Sequence, residues 1–356
     1  DFLIVGAGLI GSIAALALAQ KKFKVLVVDK KNNLLKDNRT LAVNANSVDL
    51  LKQLGIWNNL KSNPEPIDKI CIKDDISRKP LIFQNERESM GNVIFNKDMY
   101  VLARKKLLKL DILKTVKNFK INDVNPNKTL YIDKKNYAFK KIIISIGKNI
   151  ISNTSHKSLN FDQQHFSYVG FFRHTKDHEN TAYEFFTKNG PLAVLPSPAE
   201  SKKKSTFIYS SKKKINKIQL ESLIKKKINK SHGKLTFDKS ISKFPIVPHI
   251  TKNNDNFIYI GDSLKSIHPV AGQGWNLGIK DIQTLCKLLD SHSIEAKNFN
   301  KIYYSRRILE STIYLTFTSA LNYLYESKIS LNKRVIDLGF KILKNIKLVR
   351  TLFIKQ

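Results

Sequence analysis

The sequence predicts an α/β protein: a dinucleotide-binding domain interleaved with a β-rich domain, followed by C-terminal helices. Three observations carry that prediction. The chain opens with an apolar strand, a glycine-spaced turn, a helix and a second strand that ends in an acid. Its middle third is a series of apolar, β-branched and aromatic runs. A further apolar strand, FIYIGD at 257–262, appears late and precedes a mostly helical remainder.

The opening unit is the most informative. Residues 2–20, FLIVGAGLIGSIAALALAQ, carry no charge. By length they suit a membrane span or a signal core. Two features point elsewhere. Gly6, Gly8 and Gly11 stand at GxGxxG spacing, and FKVLVVDKK follows as a short strand that ends in Asp29. This strand–turn–helix–strand–acid order is Rossmann-like. Gly6 permits the tight turn, Gly8 lets a pyrophosphate approach the backbone, and Gly11 lets the helix pack close to the sheet. The helix N-terminus offers unbonded N–H groups and a positive dipole end. An acid at position 29 bonds ribose hydroxyls and disfavours a 2′-phosphate, so the expected dinucleotide is FAD or NAD rather than NADP.

Later elements follow from periodicity. NSVDLLKQLGIW reads as a helix stopped at Gly55, and KDMYVLARKKLLKL at 97–110 as an amphipathic helix. Residues 61–95 read as short strands punctuated by Pro64, Pro66 and Pro80, and strands return near 117–133. KKIIISIG at 140–147 is too apolar to alternate and reads as a buried parallel strand. YVGFFRH, TAYEFF, PLAVLP and STFIYS make 160–210 strand-rich, a Lys-rich surface helix follows at 215–230, and FPIV leads into FIYIGD. The expected organisation is discontinuous. Residues 1–60, 96–150 and 251–290 form the dinucleotide domain, 61–95 and 151–250 the β-rich substrate domain, and 291–356 a C-terminal helical region.

Composition narrows the functional classes. The formal net charge is +33, from 62 Lys and Arg against 29 Asp and Glu. Lysine dominates and is scattered through the chain in company with Asn and Ile, which reads as compositional drift. A selected surface for anionic membrane is the alternative. The lysines are not interleaved with aromatics as a single-strand-binding groove requires, so no nucleic-acid partner is expected. Two cysteines, Cys71 and Cys286, build no disulfide framework and fit a reducing, cytoplasmic compartment. No HExxH occurs, His174 and His178 leave a strand-like run, and no metal is expected.

The stretch GDSLKSIHPVAGQGWNLGIKD at 261–281 admits three readings from its residues: a phosphate loop, a metal site or a tight corner. An acid at a strand end accepts bonds from polyol hydroxyls, and glycine amides at a helix start favour negative charge. The run resembles the GD motif of the flavin aromatic hydroxylases, GDAAHxxxPxxGQGxN. Gly261, Asp262, Pro269, Gly272, Gln273, Gly274 and Asn276 match. It looks most like the ubiquinone-biosynthesis hydroxylases, FAD-dependent aromatic monooxygenases of the 2-polyprenylphenol hydroxylase type with the para-hydroxybenzoate-hydroxylase fold. RTLAVNANSVDLLKQLGIW, with Arg39, and GPLAVLP at 190–196 resemble further family segments.

The resemblance implies roles. Gly6, Gly8 and Gly11 hold the FAD pyrophosphate, Asp29 the adenosine ribose, Arg39 the side of the FAD, and Asp262 the ribityl chain. The Gly272–Gly274 amides face the flavin N1 and C2 carbonyl, Gln273 and Asn276 belong to the same cofactor cradle, and Pro269 turns the chain over the ring. His268 polarises a phenol or caps a turn. The implied reaction is ring hydroxylation of a polyprenylated phenol in ubiquinone biosynthesis, with NAD(P)H and O2 and a C4a-hydroperoxyflavin. The alternatives are a hydroxylase of a soluble aromatic acid and a non-catalytic flavin-binding or scaffold subunit.

Two positions depart from the family pattern: Lys265 replaces a histidine, and Ile146 in SIGKNI stands where an acid is usual. Lys265 is expected to face solvent, and Arg173 and His174 to lie on the surface. The uncharged segment 311–325 reads as a core or interdomain helix. The basic amphipathic tail RVIDLGFKILKNIKLVRTLFIK reads as an interfacial helix on the inner face of the cytoplasmic membrane, within a ubiquinone-biosynthesis complex.

Overall fold

Buried parallel strands need apolar residues on both faces, and the chain supplies four such runs and one short, more polar edge strand. In the computed structural model, Phe257–Tyr259, Lys141–Ile144, Phe2–Val5, Val25–Asp29 and Leu113–Thr115 form one parallel sheet in that spatial order. The structure describes residues 1–30, 39–75, 80–84, 89–125, 127–151, 158–160, 165–198, 201–266 and 274–326. Phe2–Val5 sits at the centre, buried at every residue. Helix α1 (Leu9–Gln20) lies on this sheet with eight buried residues, among them Ile13, Ala14 and Leu18. The uncharged run at 2–20 is therefore a buried strand and a largely buried helix, which accounts for its apolarity. Among the described residues no helix is long and apolar enough to cross a membrane.

Five further α-helices follow among the described residues, four of which complete this layer or brace it. Helix α2 (Ala45–Gln53) starts at Asn44, whose side chain accepts from the Ser47 N–H at 2.9 Å. Helix α3 (Asn96–Lys109) packs beside α1. Helix α4 (Lys217–His232) belongs to the β-rich part and begins with a reciprocal Asn216–Gln219 capping pair. Helix α5 (Gly274–Ser291) packs on α1, and α6 (Phe299–Glu326) crosses α5 and reaches the strands Thr181–Thr187 and Gly190–Pro196.

The middle of the chain forms an eight-stranded sheet. Its order is Leu235–Phe237, His165–His174, Lys204–Ser211, Gly190–Pro196, Thr181–Thr187, Lys69–Asp74 and Leu81–Gln84, with Ser242–Ile246 also pairing His165–His174. Thr181–Thr187 pairs Lys69–Asp74 in parallel, which stitches the 61–95 segment into the sheet. Alternate residues Tyr168, Phe172, Phe207 and Tyr209 pack under α4, whose Leu220, Ile224 and Ile228 repeat every four residues. The Lys-rich helix thus has an apolar face on the sheet and a charged face in water. Thr40–Val43, Gly91–Phe95 and Glu65–Ile67 make a small sheet between the two layers.

Three expectations change. The strands expected near 117–133 reduce to a hairpin, Thr129–Ile132 with Lys135–Ala138, because Ile121–Asp123 closes into a short 3-10 turn. Arg173 is exposed as expected, but His174 is buried. Strand parity explains the difference: His174 follows Phe172 by two residues and shares its covered face, while Arg173 points away. Lys265, expected to face solvent, is also buried, and its partners are described below.

His174 joins His178 and His232 in a buried aromatic group, with ring centroids 6.0 and 4.6 Å from His174. His174 Nδ1 donates to the Lys176 carbonyl at 2.6 Å, which leaves Nε2 to accept from the Ser205 hydroxyl at 2.9 Å. Among the described residues no group of His, Cys, Asp and Glu is placed to hold a metal ion. Burial holds all three imidazoles neutral, lowering His178 to about 4 and His232 to about 3, with His174 lowered as well. Asp177 opposes this at His178, and His174 and Lys202 add to it. A lowered folded-state pKa means that the unfolded chain takes up protons first as pH falls. Stability is therefore full above about pH 6.5 and declines toward pH 4, by up to ~1.4 kcal/mol per pH unit for each histidine. We expect the melting temperature to fall across that window, and His232→Leu to flatten the fall; an equal slope in wild type and variant would contradict this.

Candidate flavin site at the strand ends

The C-terminal ends of Phe2–Val5, Val25–Asp29, Lys141–Ile144 and Phe257–Tyr259 lie side by side, the edge where open α/β sheets bind ligands. Gly6 turns the chain out of the first strand at φ +103°, and its N–H donates to the Val28 carbonyl at 2.8 Å. A Cβ at Gly11 would lie 2.1 Å from the Gly6 carbonyl oxygen, so α1 reaches the strand only because position 11 carries no side chain. Gly8 differs from both. Among the described residues nothing lies within 4 Å of a Cβ built there, so none of them fills the space beside its backbone. Helix α1 starts at Gly8 with neither a side-chain cap nor an acid in its first turn, which leaves its leading N–H groups to an anion. These features fit a dinucleotide pyrophosphate.

Asp29 closes the second strand. Its Oδ2 accepts from the Ala7 N–H at 2.6 Å, which fixes the carboxylate beside the glycine turn. Arg104 of α3 lies 3.9 Å from the same oxygen and donates to the Tyr100 hydroxyl at 3.1 Å. Arg104 is 3% exposed and was not anticipated. Its signal was available: it stands four residues after Tyr100 and next to Ala103, on the covered face of the 97–110 helix. Arg39 is half-buried, with its guanidinium carbon 4.4 Å above the Phe244 ring, and its carbonyl accepts from the Asn96 N–H at 2.9 Å.

Gly261 and Asp262 form a short turn after Phe257–Tyr259, with Gly261 at φ +59°. The Ser263 hydroxyl donates to the Gly147 carbonyl at 3.3 Å, so this turn abuts the turn Gly147–Ile150. Ile146, where the family pattern has an acid, is half-buried beside it. Lys148 brings a cation instead. Its Nζ donates to the Pro245 carbonyl at 3.1 Å; burial lowers its pKa, Asp262 opposes that, and Arg39 adds to it. His249 is buried nearby and held down chiefly by burial, against bonds from the Val247 and Asp262 segments. Arg39, Lys148 and Asp262 thus converge from three separated stretches of sequence, a grouping that spacing alone does not disclose.

Helix α5 opens at Gly274, where an added Cβ would meet none of the described residues within 4 Å. Asn276 spends its amide on the protein. Oδ1 accepts from the Asn44 N–H at 3.2 Å and the Ser47 hydroxyl at 3.0 Å, and Nδ2 donates to the Ala42 carbonyl at 3.0 Å. It therefore ties the start of α5 to the start of α2. His268, Pro269, Gly272 and Gln273 lie outside the described residues, as does the basic tail.

Lys265 is drawn inward by an acid on α5. Its Nζ donates to Asp281 Oδ1 at 2.6 Å, and Arg307 Nε of α6 donates to the same oxygen at 2.7 Å. Asp281 Oδ2 accepts from the Gly261 N–H at 2.8 Å. Glu310 pairs with Arg307 and with Lys280 at the edge of this group. Burial pushes the Lys265 ammonium down to about 8, and Asp281 opposes that fall.

Residues 1–107 and 161–299 match the FAD binding domain family. Among curated proteins, the chain is 24% identical over 316 residues to the ubiquinone hydroxylase UbiM of Neisseria meningitidis, covering 81% of this chain and 68% of that protein. It is 24% identical over 376 residues to the mitochondrial ubiquinone biosynthesis monooxygenase COQ6 of Caenorhabditis elegans, covering 86% and 83%. It is 23% identical over 349 residues to the 3-demethoxyubiquinol 3-hydroxylase of Escherichia coli, covering 87% and 83%. Among solved structures, p-nitrophenol 4-monooxygenase PnpA of Pseudomonas putida superposes with a TM-score of 0.73 at 12% identity, over 99% of this chain and 96% of that one. PqsL of Pseudomonas aeruginosa, a probable FAD-dependent monooxygenase, gives 0.71 at 14% identity, over 96% and 99%. The chain belongs to the FAD binding domain family and is an FAD-dependent oxidoreductase of the monooxygenase type, similar across most of its length to ubiquinone-biosynthesis hydroxylases.

Proposed function

We propose that the protein hydroxylates the aromatic ring of a polyprenylated phenol in ubiquinone biosynthesis, using FAD, NAD(P)H and O2. The observation that carries this reading is the meeting of the Gly6–Gly11 turn, Asp29 and the Gly261–Asp262 turn along one sheet edge, next to a separate, largely buried sheet. The similarity to ubiquinone hydroxylases supplies the substrate class. FAD, when bound, supplies oxygen activation, and the chain's residues bind and orient. The α1 N-terminus takes the pyrophosphate, Asp29 the adenosine ribose and Asp262 the ribityl chain. Arg39 and Lys148 hold positive charge over the same region. The phenol is placed against the strands Thr181–Thr187 and Gly190–Pro196. The latter is buried at every residue, and their apolar surroundings exclude water from the ring. The basic tail at 334–355 suits peripheral contact with an anionic membrane, where such a substrate resides.

A hydroxylase of a soluble aromatic acid would need a cationic clamp on the β-rich sheet. Arg173, a cation of that sheet, is exposed at the end of its strand. The scaffold reading rests on Ile146, which removes an acid usual in related flavin enzymes.

Two measurements test this reading. The purified full chain, reconstituted with FAD, should show a flavin absorption spectrum that bleaches with NADH or NADPH under anaerobic conditions, faster with a short-prenyl phenol present. A chain that cannot be loaded with FAD sinks the enzyme reading, and a yellow protein that never bleaches favours the scaffold. Gly8→Ala should weaken FAD binding at least about tenfold, ~1.4 kcal/mol, because it fills the space beside the turn. The same change should cost the FAD-free protein no more than the ~1 kcal/mol of a helix N-cap substitution. Unchanged FAD affinity in Gly8→Ala would remove the pyrophosphate from this turn.

A further inference from the structure

Three charged side chains meet out of water behind the Gly261–Asp262 turn. Asp281 is fully buried, Arg307 is 1% exposed and Lys265 3% exposed. Taking such ions out of water costs several kcal/mol each, and apolar residues of similar volume are often as stable or more so. The group therefore needs a reason beyond packing. One is visible in what Asp281 accepts. Its Oδ1 takes both cations, and its Oδ2 takes the N–H of Gly261. An apolar side chain at position 281 would leave that buried N–H without an acceptor. Gly261 stands in the left-handed region, immediately before Asp262. Its orientation decides where the Asp262 carboxylate goes.

Helix α6 grips the same strand end twice. The Tyr303 hydroxyl donates to the Tyr259 carbonyl at 3.2 Å, and Arg307, one helical turn later, reaches Asp281. Lys265 approaches from the other side, on a two-residue strand that pairs with His249–Thr251. The turn is thus clamped between α5, α6 and the chain that follows it.

We propose that Lys265 and Arg307 are positioning residues for the flavin: through Asp281 they lock the Gly261 turn so that the Asp262 carboxylate meets the ribityl hydroxyls. This rests on the reading of Asp262 as an FAD contact. It also gives the departure at 265 a function. The lysine keeps a cation against Asp281 at the place where related enzymes carry a histidine.

A double-mutant cycle on FAD affinity tests it, with the full chain and free FAD, by quenching of flavin fluorescence. Asp262→Asn alone should raise the FAD Kd about tenfold or more. In a Lys265→Met background the same change should raise it less than threefold, since Asp262 is already misplaced. Lys265→Met should also shift the absorption maxima of the bound flavin, which a loss of stability alone does not do. The control cycle pairs Lys265→Met with Gly8→Ala, on the pyrophosphate side, and should be additive. If Lys265→Met does not fold, Arg307→Lys keeps the charge, loses the Nε bond and enters the same cycle. Additive costs for Asp262→Asn and Lys265→Met overturn the proposal alone. Equal FAD affinity of wild type and Asp262→Asn overturns the assignment of Asp262 itself, and the proposal with it. Coupling to Gly8→Ala as strong as that to Asp262→Asn also overturns it, because the effect is then a general loosening.

Discussion

The structure depends on how closely α1 approaches the two central strands. Gly6, Gly11 and Ser145 meet at van der Waals limits. A Cβ at Gly6 would lie 2.4 Å from the Ser145 carbonyl oxygen, and one at Gly11 would lie 2.1 Å from the Gly6 carbonyl oxygen. Backbone cannot yield to that extent, so the helix sits where it does only with glycine at both places. The helix axis then points its N-terminus at the sheet edge, and Asp29, bonded to Ala7 N, lines the same edge. The late strand Phe257–Tyr259 adds to this sheet beside Lys141–Ile144. A motif some 250 residues away in sequence thereby faces the first turn.

Charge in this molecule divides into two populations. Most of the 62 basic side chains lie along exposed faces, as on α4, and exposed pairs contribute little to stability. A few are buried, and each is committed to one partner or group. Arg104 stands by Asp29 and Tyr100, Lys265 and Arg307 by Asp281, and Lys141 over the Phe299 ring. Three of these four act on strand-end acids or on the acid that holds a strand-end turn. The net charge of +33 is therefore a poor guide to the site, while the placement of Arg104, Lys265 and Arg307 is a good one.

The same contrast shows what was legible in the sequence. The parallel strands, α1 and the β-rich middle were readable because burial on both faces, glycine spacing and alternation leave periodic marks. The Gly6–Gly11 turn and Asp29 were readable because their spacing is tied to one supersecondary unit. Lys265 and His174 were misread from residue type. A lysine is usually solvated and a histidine at a strand end is usually exposed, but tertiary partners overrode both. Asp281 lies sixteen residues beyond Lys265 on another element, and Arg307 a further twenty-six, so no local pattern announces the group. Arg104 was legible in principle, since helical spacing places it on a covered face.

The departure at Ile146 has a physical counterpart at the junction of the two layers. Arg39 and Lys148 leave the dinucleotide layer and end on adjacent residues of one strand of the large sheet, Arg39 over the Phe244 ring and Lys148 on the Pro245 carbonyl. A ring face and a carbonyl each attract a cation without neutralising it. Asp262 is the acid that acts on Lys148, and Arg39 repels it. An acid at 146 would have added a second negative group close to Lys148. With isoleucine there, Gly147 still turns the chain at φ +63°, and the neighbouring cations keep their charge directed at Asp262 and at whatever anion the sheet edge binds. The substitution alters the electrostatics of the cradle while leaving its backbone path intact.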